Sequence, residues 1–141
     1  MYSVKIHPEF RLVHFRFCGP LSVSLFRRAF LDFVESPQFD PTYLMLSDIR
    51  DVSEIDADFV SIFSAVQGMS RVFSLFREEV LCVLLAKKDL HFGMSRMLAQ
   101  IVEIYSMIRI WSVRSQDEAC ESSGLDPAVV AEVLAGGMPA G

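Results

Sequence analysis

Residues 80–105 read VLCVLLAKKDLHFGMSRMLAQIVEIY. From Val80 to Ala86 the residues are apolar without alternation, the pattern of a strand covered on both faces at the centre of a parallel sheet. The polar segment KKDLH reads as a loop. From about His91 to Tyr105 apolar residues return at helical spacing: Met94, Met97, Leu98, Ile101 and Tyr105 form an inner stripe, while Ser95, Gln100 and Glu103 are placed to face water. A buried strand followed by an amphipathic helix is half of a βαβ unit, and it places the chain in the α/β class.

Outward from this unit the alternation continues. Met107 to Val113 is the next strand. Upstream, Tyr43 to Leu46 is a short apolar strand ending at Ser47 and Asp48, and the carboxylate-rich IRDVSEID (49–56) reads as a loop. A helix starts near Asp56. Its stripe is Phe59, Ile62, Phe63, Val66 and Met69; Gly68 is a point where it kinks before continuing through Val72, Phe73 and Phe76.

The N-terminal segment reads as a hairpin, 2–6 and 10–18, turning at Pro8 and Glu9, with Val13, Phe15 and Phe17 on one face. Gly19 and Pro20 are expected to end its second strand. Ser22 or Ser24 then caps a helix carrying Leu25, Phe26, Phe30, Phe33 and Val34, with Pro37 and Pro41 bracketing its exit. At the other end Ser115 with Glu118 has a capping-box pattern for a short helix stopping at Gly124. Asp126 followed by Pro127 starts another helix, and the terminal GGMPAG reads as frayed. The expected order is ββαβαβαβα around a mixed sheet, mostly parallel after the hairpin. Residues 1–125 form one domain in this reading, and 126–141 a short C-terminal helix and flexible tail.

Composition limits function. Of 141 residues 52% are hydrophobic and 22% charged, which excludes a disordered chain; mean hydropathy is +0.36, high for this size, so some apolar surface is expected at an interface. A net charge of -5 without a basic stripe argues against nucleic acid, whose binding depends on neutralised phosphates. Cys18, Cys82 and Cys120 are odd in number, widely spaced and set among apolar residues, which suits free thiols in a reducing compartment. MYSVKIHPEF lacks the pattern of a secretory signal, and no apolar run reaches the ~18 residues of a membrane span. Cytoplasmic residence is the resulting expectation.

The element order and two segments resemble the SpoIIAA-like superfamily, which includes STAS domains and is structurally akin to CRAL-TRIO lipid-binding domains. In STAS anti-sigma-factor antagonists the third strand ends in an Asp, and eight residues later an Asp-Ser-Ser-Gly stretch opens a helix. Here Asp48 and Asp56 keep that spacing, with Val52 and Ile55 between them. LLAKKDLHFGMSRMLAQI (84–101) looks like the strand, loop and helix of small STAS-like bacterial proteins, and IRIWSVRSQDEAC (108–120) echoes their closing strand and helix. The resemblance implies a non-catalytic interaction module. It also departs: where antagonists carry phosphorylatable serines, this chain has Ala57 and Asp58. Asp58 is either an ordinary carboxylate in the first turn or a fixed negative charge in place of a phosphate. Ser53 is a nearby hydroxyl out of register.

Three groups of candidate residues follow. Asp48, Asp51, Ser53, Asp56 and Asp58 form a candidate interaction loop; their spacing lacks the order of a calcium loop, and a solvated loop with a helix cap is the plainer reading. Phe59, Ile62, Phe63, Val66 and Met69, in a chain with twelve Phe and seven Met, are core, a lipid pocket or a subunit interface. The outward faces of the strands, Tyr43 with Met45 or Leu81 with Val83 and Leu85, add to that surplus. Lys87, Lys88, His91 and Arg96 stand at a helix entrance where an anion binds, or are ordinary loop polarity. His7, His14 and His91 are too scattered to predict a metal site, no nucleophile elbow is present, and no cofactor is implied. The expected partners are a protein or a second copy of the chain, with a lipid or other hydrophobic ligand as the alternative.

Overall fold

The computed structural model describes residues 1–137. The hairpin β1 (Tyr2–His7) and β2 (Leu12–Ser22) is antiparallel, turning through a 3-10 segment at Pro8–Phe10 and Arg11, whose φ of 52° closes it. Beyond it the chain alternates: α1 (Val23–Val34), β3 (Leu44–Asp56), α2 (Phe59–Gly68), α3 (Ser70–Phe73), β4 (Val80–Leu85), α4 (Asp89–Tyr105), β5 (Ile108–Val113), α5 (Gln116–Ser123) and α6 (Pro127–Ala135). The five strands lie in sequence order, β1-β2-β3-β4-β5, parallel from β2 onward.

Each parallel step adds a strand on the same side, so crossovers of one hand place α1, α2 and α4 on one face of the sheet. The larger core lies there, joining Val13, Phe15, Phe17, Met45 and Leu84 of the strands to Phe30, Phe33, Ile62, Val66 and Ile101 of the helices. On the second face Leu12, Leu46, Val83, Leu85 and Val113 pack with Ala119 of α5 and Val130, Val133 and Leu134 of α6. The sheet is therefore covered on both sides. Met45, Val83 and Leu85, expected to extend an apolar surplus to a surface, are core residues instead.

Two boundaries differ from expectation for one reason. β2 does not stop at Cys18, nor β3 at Asp48: both run on as a parallel two-stranded ribbon pairing Cys18 with Asp51, Gly19 with Val52 and Ser22 with Asp56. The register shifts between Arg16 and Cys18 and again between Gly19 and Pro20. Gly19 takes φ 76°, and Pro20, which has no N–H to give a ladder, sits at that irregularity. The expected loop 49–56 is thus strand: Ile49 and Val52 are buried while Asp51, Ser53, Glu54 and Asp56 face out.

The helix expected to kink at Gly68 ends there and resumes as α3. Caps agree with the sequence: the Ser22 hydroxyl accepts from the Leu25 amide, Ser115 from Glu118, and Asp126 from Ala128. Ser95, expected to face water, is 4% exposed, because its hydroxyl donates to the Phe92 carbonyl and meets the Ser112 hydroxyl of β5 at 2.7 Å. Tyr105, expected inside, is 40% exposed at the end of α4. Of the GGMPAG tail, Gly136 accepts a hydrogen bond from Arg16 of β2 at 3.3 Å; residues 138–141 lie outside the described residues.

Candidate functional site

The five residues of the candidate interaction loop separate along the ribbon. Asp48 is buried, and both carboxylate oxygens are engaged by Arg50: Nε donates to Oδ1 at 3.0 Å and Nη2 to Oδ2 at 2.9 Å, with the Arg50 amide also on Oδ1. These bonds hold the guanidinium in its charged form, raising the Arg50 pKa against the opposing effect of its burial. Asp51 is exposed and pairs with Arg16 at 2.8 Å. Ser53 contributes its carbonyl, which accepts from the Lys88 ammonium at 3.1 Å.

Asp56 and Asp58 do come together. With Ser22, Ser24, Ile55 and Ser61 they line a shallow surface depression where the ribbon hands over to α2. Asp58 is the N-cap of α2: its carboxylate accepts the Ser61 amide at 2.7 Å, and the Ser61 hydroxyl accepts the Asp58 amide at 3.0 Å. Hydrogen bonds from Ser61 lower the Asp58 pKa. Ser61 is absent from the sequence reading; its signal was the Asp-x-x-Ser spacing of a capping box with serine at the third position.

The apolar stripe of α2 divides. Ile62, Val66 and Met69 face the sheet and line an apolar cavity of about 140 Å³, whereas Phe59 and Phe63 stack on each other outside it, and Phe63 meets the Tyr105 ring edge-on at 5.7 Å. Phe59 is 55% and Val60 69% exposed. The cavity floor is formed by Phe15, Phe17, Met45 and Cys82 of the strands, and its walls by α1, α2 and α4. The alternation of Val13, Phe15 and Phe17 signalled which face these residues take, but not that a space remains between them and the helices.

Chemistry in the cavity is limited. Cys82 is buried, with its pKa pushed up to about 11 by burial, so its thiol is un-ionised; it contacts the Ser47 hydroxyl at 3.7 Å. No histidine, Asp, Glu or Lys is among its described lining residues. His91 is buried at the start of α4, and burial, then Lys88, lowers its pKa. His14 lies on the second face, 1% exposed, lowered to about 4 chiefly by burial, with nearby Asp48 opposing. Among the described residues no group of three His, Cys, Asp or Glu is arranged to hold a metal ion.

The candidate anion residues likewise diverge. Lys88 is engaged with the Val52 and Ser53 carbonyls, Lys87 and Arg96 are exposed, and the first turn of α4 carries Asp89, paired with Arg114. Arg114 also lies 5.1 Å over the Phe92 ring. Among the described residues no helix is long and apolar enough to cross a membrane.

No protein-family model matches the chain, and no curated protein matches it. Solved structures do. An uncharacterized protein of the DUF3478 family with a SpoIIAA-like fold from Shewanella loihica PV-4 matches with a TM-score of 0.52 at 10% identity, over 86% of this chain and 91% of that one. The anti-sigma factor antagonist SpoIIAA in its unphosphorylated form matches with a TM-score of 0.51 at 12% identity, over 88% and 97%. The fold is SpoIIAA-like, as the sequence resemblance implied; at these identities the likeness concerns the fold alone.

Proposed function

We propose that this chain is a non-catalytic binding module that engages a protein partner through the outer half of β3 and the first turn of α2. One observation carries the reading. From Ile49 to Asp56 β3 extends past its last pairing with β4, at Asp48 and Leu85, so among the described residues only β2 pairs with this half of the strand. This edge, where the Lys88 ammonium holds the Val52 and Ser53 carbonyls but no strand pairs, leads through Glu54, Asp56 and Asp58 into a turn of helix that exposes Phe59 and Val60. Unpaired strand edges and exposed apolar residues beside charges are features of recognition surfaces. The acidic rim favours a partner with basic residues around an apolar contact.

The fold neighbour described as an anti-sigma factor antagonist supports a role exercised on another protein.

Affinity capture from the source cells, comparing the native chain with F59D/V60D and with Trp111→Ser on β5 as control, tests this surface. A partner held by the native chain and the control, lost by F59D/V60D, and binding the purified native chain in calorimetry is the expected result. Equal capture by all three chains removes this surface from the account. Native mass spectrometry identifies the case in which the partner is a second copy.

A further inference from the structure

We propose that the cavity between the sheet and helices α1, α2 and α4 is a binding site for a compact, uncharged, apolar molecule of one ring or about six to ten carbon atoms. Its volume is about 140 Å³. An apolar cavity of about 150 Å³ stays free of water and accepts benzene. A long acyl chain has nearly three times the carbon count of benzene, so a space of this size favours a small ligand over a fatty acyl chain.

Polarity sets the ligand class. Three serines are among the described lining residues: the Ser22 oxygen accepts from Leu25, Ser47 contacts the Cys82 thiol at 3.7 Å, and Ser95 is bonded to Phe92 and Ser112. A polar ligand would find partners only at the rim, at Arg27 and the Ser22 O–H, and would lose its hydration with little compensation among the apolar residues deeper in the cavity. Water fares no better, since a buried water needs two to four polar contacts.

Charge at the rim points the same way. Arg27 is the one charged residue among the described lining residues, and it is exposed. Asp56 and Asp58 line the adjoining depression, which shares Ser22, Val23, Ile55 and Ala57 with the cavity. The rim therefore carries no excess of positive charge to draw a carboxylate or phosphate head. Adaptability comes from Met45, Met69 and Met94, whose unbranched side chains reshape to fit an occupant.

The full-length chain carrying 13C-methyl methionine, titrated with benzene, provides the test. The methyl signals of Met45, Met69 and Met94 are expected to shift saturably while those of Met1 and Met107, both exposed, stay in place; Tm is expected to rise with benzene concentration. Ala65 lies on α2 in the cavity wall, and Ala65→Phe puts a ring in the space, so this variant is expected to lose both responses. Should it fail to fold, the methionine shifts of the native chain decide the matter alone. Absence of shifts at the three lining methyls, equal shifts at all methyls, or a response to sodium palmitate with none to benzene overturns the proposal.

Discussion

Asp58 and Ser61 cap one another: the carboxylate of the first takes the amide of the second at 2.7 Å, and the hydroxyl of the second takes the amide of the first at 3.0 Å. Asp58 is thus engaged in starting α2. Asp58→Ala is expected to lower Tm by a few degrees at about pH 7, with Asp58→Asn, whose side-chain oxygen still accepts the Ser61 amide, retaining most of the native stability. The sign of the pH dependence follows from the depressed pKa of Asp58. Its contribution is present above the unfolded-state value near 3.9 and disappears as pH falls through the lower folded-state value, so the gap to Asp58→Ala narrows below about pH 4. Thermal melts showing a constant gap across that range would rule this out.

His14 titrates in a different window. Burial holds its imidazole neutral, with a pKa near 4 against 6.5 for the free side chain. Between these values the unfolded chain binds more protons than the folded one, so stability is full above about pH 6.5 and is lost as pH falls toward 4. The loss is on the order of 3 kcal/mol. His14→Leu is expected to flatten this slope, and urea midpoints measured along the pH series check it. An identical slope in the variant assigns the effect to other groups.

Asp48 and Arg50 form the pair whose disruption is expected to cost most among the acidic residues of β3, because the Asp48 carboxylate is buried. Removing one partner of a fully buried pair costs about 3–5 kcal/mol; the Arg50 side chain is 33% exposed, which reduces the expectation for Asp48→Ala to about 2 kcal/mol. Asp51→Ala is expected to cost under about 1 kcal/mol, because the Asp51 side chain is itself 52% exposed. Urea denaturation orders the two variants, and a reversed order would contradict the burial of Asp48.

Thiol labelling separates the cysteines. Cys18 is exposed and reacts with a disulfide reagent in the native chain, whereas Cys82, buried on the cavity floor with its thiol un-ionised, waits for unfolding. Mass mapping of the labelled peptides at neutral pH gives the order. Early modification of Cys82 would mean that the cavity admits polar reagents.

Much of the architecture is written in local pattern. The uninterrupted apolar run Val80–Ala86 identifies a central strand because a residue covered on both faces has no reason to alternate. Gly68 marks the end of α2, and Asp126 with Pro127 the start of α6, because caps and breakers act through the backbone of their immediate neighbours. The extension of β3 through 49–56 was hidden: its partner is β2, some thirty residues earlier, and its outward carboxylates resemble a loop until that pairing exists.

The candidate residues divide along the same line. Periodicity alone groups Phe59, Ile62, Phe63, Val66 and Met69 on one stripe, yet the packing of α4 and the sheet sends Ile62, Val66 and Met69 to the cavity and leaves Phe59 and Phe63 with Tyr105 outside. Ser95 reads as polar surface until Ser112 arrives from β5 to share its hydrogen bond. From sequence alone come the α/β class, the element order and most helix caps, all consequences of short-range backbone and side-chain preference. The cavity, the extension of β3 beyond β4 and the charge state of His14 belong to the tertiary structure, because volume, pairing and desolvation arise only when segments distant in the chain meet.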